Sequence, residues 1–193
     1  MKGKFTPHLD YAKEKWEKYI SPGSVVLDAT CGNGYDTLFL AQNVLTYPSG
    51  KVFALDIQKK AIENTKKLLI THIDKTLFKR IAFFHNSHEN IQKIVGNISF
   101  SLIVYNLGYL PKGDKSITTQ KEITLKSISS SLSLLQEKGA ISIICYPGHL
   151  EGLKEEKALI KYFSSLNSSL WSICYHKWIN RHHSPSFLWI EKI

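Results

Sequence analysis

The chain has 193 residues, 43% hydrophobic and 21% charged, which is enough apolar content for one domain with its own core and too much for a disordered chain. Its formal charge of +9 favours an anionic partner, most naturally nucleic acid, although lysine-rich solvated faces give the same balance. Three cysteines without Cys-x-x-Cys spacing exclude a disulfide framework and a cysteine zinc site, and no stretch approaches the ~20 apolar residues of a membrane span.

Leu9, Ala12, Trp16, Tyr19 and Ile20 recur at helical spacing, which predicts a helix from about Asp10 to Ile20 that stops before Pro22-Gly23 and leans on an edge of the domain. Val25–Asp28 reads as a short strand. It runs into Ala29-Thr30-Cys31-Gly32-Asn33-Gly34-Tyr35-Asp36-Thr37, small residues with glycines at alternate positions, and then into a helical pattern over residues 36–45. Strand, tight turn and helix N-terminus in that order can bind polar or anionic ligand atoms on free backbone N–H groups, with Gly32 and Gly34 leaving room for close approach. The plainer reading is a βα turn that uses glycine only to bend. After the turn Tyr47–Gly50, the strand Lys51–Leu55 ends at Asp56, about 20 residues beyond the glycines, where a βαβ unit meets ribose hydroxyls. Asp56 also suits the cap of the helix that follows.

A dinucleotide fingerprint would place a third glycine where this chain has Thr37, so a pyrophosphate ligand fits poorly. A ligand with a sulfonium brings positive charge, which Asp28 at the end of the first strand complements. The stretch from Asp28 to Thr37 resembles the glycine-rich motif of class I S-adenosylmethionine-dependent methyltransferases, with Thr30 where the first of three glycines is usual.

Ala61, Ile62, Thr65, Leu68, Leu69 and Ile73 line one face of a second helix, and Ile81–Phe84 is a third strand. It ends in His85-Asn86-Ser87-His88-Glu89, where Ser87 and His88 either touch a ligand's adenine or ribose or cap the next helix. Phe100–Tyr105 is a fourth strand, delivering Asn106-Leu107-Gly108-Tyr109 and a loop to Asp114. Thr119 and Glu122 are spaced as a capping box for a helix carrying Ile123, Ile128, Leu132 and Leu135. Ala140–Tyr146 is a fifth, buried strand, followed by the connection Pro147–Gly152 and a helix with Leu159, Tyr162, Phe163 and Leu166. Trp171–Ile179 and Phe187–Ile190 have no helix between them and form a hairpin. The whole predicts an α/β fold, Rossmann-like, with a mostly parallel seven-stranded sheet, helices on both faces and a C-terminal antiparallel hairpin.

Asn106-Leu107-Gly108-Tyr109 looks like a relative of the Asn-Pro-Pro-Tyr motif of nucleic acid amino-methylases, in which Asn orients the acceptor nitrogen and Tyr stacks on the base. A plain turn, with Asn and Gly supplying left-handed backbone, is the alternative. Residues 28–41, 54–58, 86–88 and 106–114 together are similar to the rRNA methylase family, which includes bacterial tRNA 5-aminomethyl-2-thiouridine methyltransferases acting at the wobble uridine. The resemblance covers nearly the whole chain. It implies S-adenosylmethionine as cofactor, held by Asp28, Thr30, Gly32, Asn33, Gly34, Asp36, Thr37, Asp56, Ile57, Gln58, Ser87, His88 and Asn106, with acceptor chemistry at Asn106, Tyr109, Asp114 and His149. It also implies tRNA as partner, with Lys112, Lys115, Arg181, His182 and His183 in loops on the substrate side. The expectation is one cytoplasmic domain over residues 1–193, with 1–22 as helix and lead-in, no metal, no membrane, and a monomer or homodimer. Methylation of rRNA or a small amine, and a non-catalytic RNA-binding protein that kept the fold, are the alternatives.

Overall fold

The computed structural model describes residues 7–111, 113, 117–181 and 183–193; the expectations placed on Lys112, Asp114, Lys115 and His182 lie outside the described residues. Apolar runs form the strands β1 (Val25–Asp28), β2 (Lys51–Asp56), β3 (Ile81–His85), β4 (Phe100–Asn106), β5 (Leu135–Cys145), β6 (Trp171–His176) and β7 (Ser186–Lys192). They make one seven-stranded sheet in the order β3-β2-β1-β4-β5-β7-β6, parallel from β3 to β5, with β7 antiparallel to both of its neighbours. Between β1 and β4 the order of connection reverses, and in open α/β sheets the crevice beyond the strand ends at such a point binds ligands.

The helices are α1 (Pro7–Tyr19), α2 (Tyr35–Val44), α3 (Lys59–His72), α4 (Lys75–Phe78), α5 (Ile91–Val95), α6 (Lys121–Ser133) and α7 (Leu150–Phe163). Because side chains alternate across a strand, β4 buries Ile103 and Tyr105 against α5, α6 and α7 but Leu102 and Val104 against α1, α2 and α3. Each face of the sheet thus has its own core. Among the described residues no helix is long and apolar enough to cross a membrane.

Four expectations change. α1 starts at Pro7, which suits a first helical position, and it packs on the β5–β7 part of the sheet rather than on an edge, with buried Trp16 Nε1 donating to Ser142 Oγ at 2.8 Å. Thr119 and Glu122 make no capping box: Gln120 precedes the helix without a side-chain cap, and the Thr119 hydroxyl is used elsewhere. Leu135 pairs with Phe100 as the start of β5, whose register then slips before Ala140 meets Leu102. β6 ends at His176, short of Ile179, because its partner β7 begins at Ser186 and leaves residues 177–185 as the connection. The short α4, capped by the Asp74 side chain accepting from the Thr76 amide at 2.7 Å, has no counterpart in the sequence reading.

Candidate active site

The glycine turn is laced to both strands beside β1. The Ala29 amide donates to Val104 O and the Cys31 amide to Leu55 O, each at 2.9 Å, and Gly32 and Gly34 take positive φ angles of 52° and 88°. The two glycines have different reasons. A Cβ on Gly32 would make only ordinary contacts, with Leu110 Cδ1 at 3.6 Å and Thr30 O at 3.8 Å, whereas a Cβ on Gly34 would lie 2.8 Å from Thr65 Cα. Gly34 therefore serves the packing of α2 on α3. α3 pins the turn further: the Thr65 hydroxyl donates to Gly32 O at 3.1 Å and Asn64 Nδ2 to Asn33 Oδ1 at 3.0 Å.

Asp28 and Thr37 lie beneath the turn, 1% and 0% exposed, with the Thr37 hydroxyl donating to Asp28 at 2.6 Å and the Thr30 amide to the other oxygen at 3.2 Å. Burial, and then the neighbouring Asp36 carboxyl, raise the Asp28 carboxyl to about 8. Both carboxyl oxygens accept hydrogen bonds from the turn and from α2, so Asp28 supports the turn from below. Asp56 keeps its place at the tip of β2, accepting from the Gly32 amide at 2.9 Å and the Gln58 amide at 2.8 Å. One carboxylate thus ties the glycine turn to the start of α3, and burial raises its pKa above the ordinary range.

Across the switch point, the Asn106 amide donates to Thr30 Oγ1 at 2.7 Å, so that hydroxyl clips β4 to β1. Asn106 Nδ2 donates to Asp36 Oδ2 at 3.2 Å. Burial raises Asp36 above the usual carboxylate range, against the opposing pull of Lys13 at 3.9 Å. Gly108, at φ 108°, turns the chain, so part of the plain turn reading of this segment also holds. Tyr109 stands 40% exposed with its ring 5.9 Å from that of His149. His149 Nδ1 accepts from the Gly152 amide at 3.2 Å and caps α7, while its buried Nε2 has no partner among the described residues. The structure thus brings Asn106, Asp36, Thr30, Tyr109 and His149 to one crevice.

Sequence reading missed Tyr146 and His8, whose hydroxyl and Nε2 lie 3.5 Å apart, because no motif carries them. It also missed Glu155, 1% exposed, which accepts from Thr119 at 2.7 Å and Thr124 at 2.6 Å. A charged residue on a core-facing helix position was the available signal.

The family model for Putative rRNA methylase matches residues 52–192. The chain belongs to this family of class I S-adenosylmethionine-dependent methyltransferases. The chloroplastic tRNA (mnm5s2U34)-methyltransferase of Arabidopsis thaliana is 36% identical over 181 residues, which span 92% of this chain and 66% of that relative. The putative rRNA-methylase of Clostridium thermocellum superposes with a TM-score of 0.90 at 33% identity, over 98% of this chain and all (100%) of that one. A putative methyltransferase from Streptococcus mutans, solved in complex with SAH, gives 0.84 at 26% identity over 98% and 100%.

The crevice of this methyltransferase suits the cofactor's parts. Asp56 has spent two of its roughly four acceptor positions on backbone amides, which leaves the others open to a ligand's donors. Ile57 beside it is an apolar side chain 52% exposed. The Asn86 amide donates to Asp56 O at 3.0 Å, which brings the end of β3 to the same corner, where Ser87 Oγ and His88 Nδ1 are buried without a partner among the described residues. Ser87 makes no side-chain cap, so that alternative falls away. Burial lowers His88 to about 4, and the ring is neutral at pH 7. No group of three or more His, Cys, Asp or Glu that could hold a metal ion occurs among the described residues.

Proposed function

We propose that this methyltransferase acts on tRNA, adding a methyl to the exocyclic aminomethyl nitrogen of 5-aminomethyl-2-thiouridine at the wobble position. The observation that carries the reading is Asn106: its side chain donates to the Asp36 carboxylate at the tip of the strand facing the glycine turn. The name of the Arabidopsis relative supports the substrate, and the family membership supports RNA.

S-adenosylmethionine, held by Gly32, Asp56, Ile57, Ser87 and His88, supplies an electrophilic methyl. The rest falls to the acceptor side. An alkylamine is mostly protonated at neutral pH, with a pKa of about 10 like that of lysine, and has no lone pair to give in that form. Asp36, made more basic by burial, stands within one side chain of the amine's expected place and takes its proton. Asn106 then orients the neutral nitrogen by hydrogen bonding, which matters because reacting atoms must approach in line at about 3 Å. Tyr109 offers the exposed ring on which the uracil stacks.

The test is incubation with S-adenosylmethionine and tRNA bearing the unmethylated aminomethyl group, followed by mass spectrometry of the nucleosides. One added methyl at that nucleoside is the expected result, and methylation confined to rRNA or a free amine refutes the reading. Asn106→Ala should lower kcat by about 10²-fold or more while S-adenosylmethionine affinity stays near wild type, since the loss falls on orientation in the transition state. Wild-type turnover by that variant would reduce Asn106 to a turn residue.

A further inference from the structure

Between α1 and the β6–β7 hairpin, at the same end of the sheet as the active site, lies a cavity of about 170 Å³. Its walls are aromatic and polar at once: His8 and Tyr11 from α1, His176 from the end of β6, Trp178 from the connection that follows, and Phe187 from β7. Tyr11 joins them, with its ring 4.6 Å from that of His176 and 5.5 Å from that of Phe187, and its hydroxyl 3.2 Å from His176 Nε2. Trp178 leaves 41% of its surface to solvent. The cavity is also close to the acceptor site. His8 stands edge-on to Tyr146, ring centroids 5.8 Å apart, and Tyr146 directly follows β5, whose Ile144 pairs with Asn106.

Ring faces combined with imidazole and phenol groups suit a flat heteroaromatic ligand with a hydrogen-bonding edge, and they suit an aliphatic chain poorly. Lys177 lines the same cavity but is paired with the buried Glu156 carboxylate at 3.2 Å, so it is the chain's excess of 25 Lys and Arg over 16 Asp and Glu that favours a ligand that brings phosphates. Resting on the reading of RNA as substrate, we propose that this cavity binds a second nucleobase of the single-stranded RNA loop, the neighbour of the methylated nucleotide, stacked on Trp178. The enzyme then reads two adjacent bases, one presented to Asn106 and one held between α1 and the hairpin.

The experiment uses the full chain and an anticodon stem-loop RNA carrying the aminomethyl uridine, with Trp178→Ala, Trp178→Phe and stem-loops abasic at either neighbour of the target. Base–aromatic stacking is worth about 1–3 kcal/mol, so Trp178→Ala should raise the KM for the stem-loop by roughly 5–100-fold with kcat at saturating RNA kept, and Trp178→Phe should restore most of it. One abasic position should cost wild type a similar factor and cost Trp178→Ala nothing further. An unchanged KM in Trp178→Ala, or losses that simply multiply for both abasic positions, overturns the proposal while methyl transfer to RNA stands. If wild type transfers no methyl to the stem-loop, the functional reading fails by itself, and binding of the same RNAs decides the cavity. Equal affinity of wild type and Trp178→Ala overturns it; a loss that one abasic RNA reproduces supports it.

Discussion

Asp28 occupies the centre of the crevice almost without solvent, and its carboxyl is lifted by burial and by Asp36 from the ordinary 3.8 to about 8. Between those values the folded protein holds a proton that the unfolded chain has released. Stability contributed by that proton is therefore complete below about pH 4 and is lost as the pH rises toward 8. His88 works the other way, since burial lowers it from 6.5 to about 4 and stability is gained with pH across that interval. The two oppose each other up to pH 6.5, and above it the Asp28 loss is exposed. Asp28→Asn keeps the shape and removes the titration. Thermal melts should show the wild type losing a few degrees between pH 6.5 and 8 and the variant losing distinctly less, about 2–4 °C being the usual response per kcal/mol for a chain of this size. Parallel curves for the two proteins would mean that Asp28 is ionised in the fold and that its anion is available after all.

The connection from β4 to α6 carries Tyr109 and is held at its base by α7. Glu155 accepts from the Thr119 hydroxyl at 2.7 Å, that hydroxyl accepts from the Gly108 amide at 2.8 Å, and the Thr119 amide donates back to Gly108 O at 3.0 Å. Tyr109 and Thr118 form a bridge beside this latch. Thr119→Val keeps the volume but leaves the half-buried Gly108 amide and one Glu155 oxygen short of a partner, a loss of about 1–3 kcal/mol. If the latch positions Tyr109, the variant should lower kcat/KM for RNA several-fold beyond what its stability loss explains, with S-adenosylmethionine affinity unchanged by calorimetry. A fall in both together would make Thr119 a purely structural residue. This latch also shows why part of the site was illegible in the sequence. Thr119 and Glu122 stand three apart before an apolar run, which spells a capping box, and only the distant Glu155 competes for the hydroxyl. Local pattern sufficed where the chain satisfies itself locally, as in β1, the glycine turn and β2 ending at Asp56. It also sufficed for β4, whose Ile103, Tyr105, Leu102 and Val104 read as apolar because both faces are covered. It failed where partners lie far apart in sequence, as for Asp36 with Asn106 or Trp16 with Ser142.

On the scale of the molecule, the charge of +9 is unevenly informative. Lys59, Lys60, Lys66 and Lys67 lie on α3, where a solvated helix face explains lysine without any ligand. The β6–β7 connection is different: it contributes Lys177 and Trp178 to the cavity beside the acceptor site and carries Arg181 and His183 at the carboxyl end of the sheet. Counterion release makes the logarithm of RNA affinity fall with the logarithm of salt, by about 0.7 for each phosphate neutralised on a single strand. Arg181→Gln should therefore weaken binding of an anticodon stem-loop and flatten that slope by about 0.7, whatever the loop sequence. Lys51→Gln, at the opposite, amino end of β2, is the matched change of charge and should leave the slope as it is. Titrations of the three proteins from low to moderate salt measure both quantities. If Arg181→Gln and Lys51→Gln shift the slope equally, the charge acts as a diffuse field over the whole surface. If only Arg181→Gln does, the RNA backbone runs along the hairpin, on the side of the sheet where Asn106 presents its side chain.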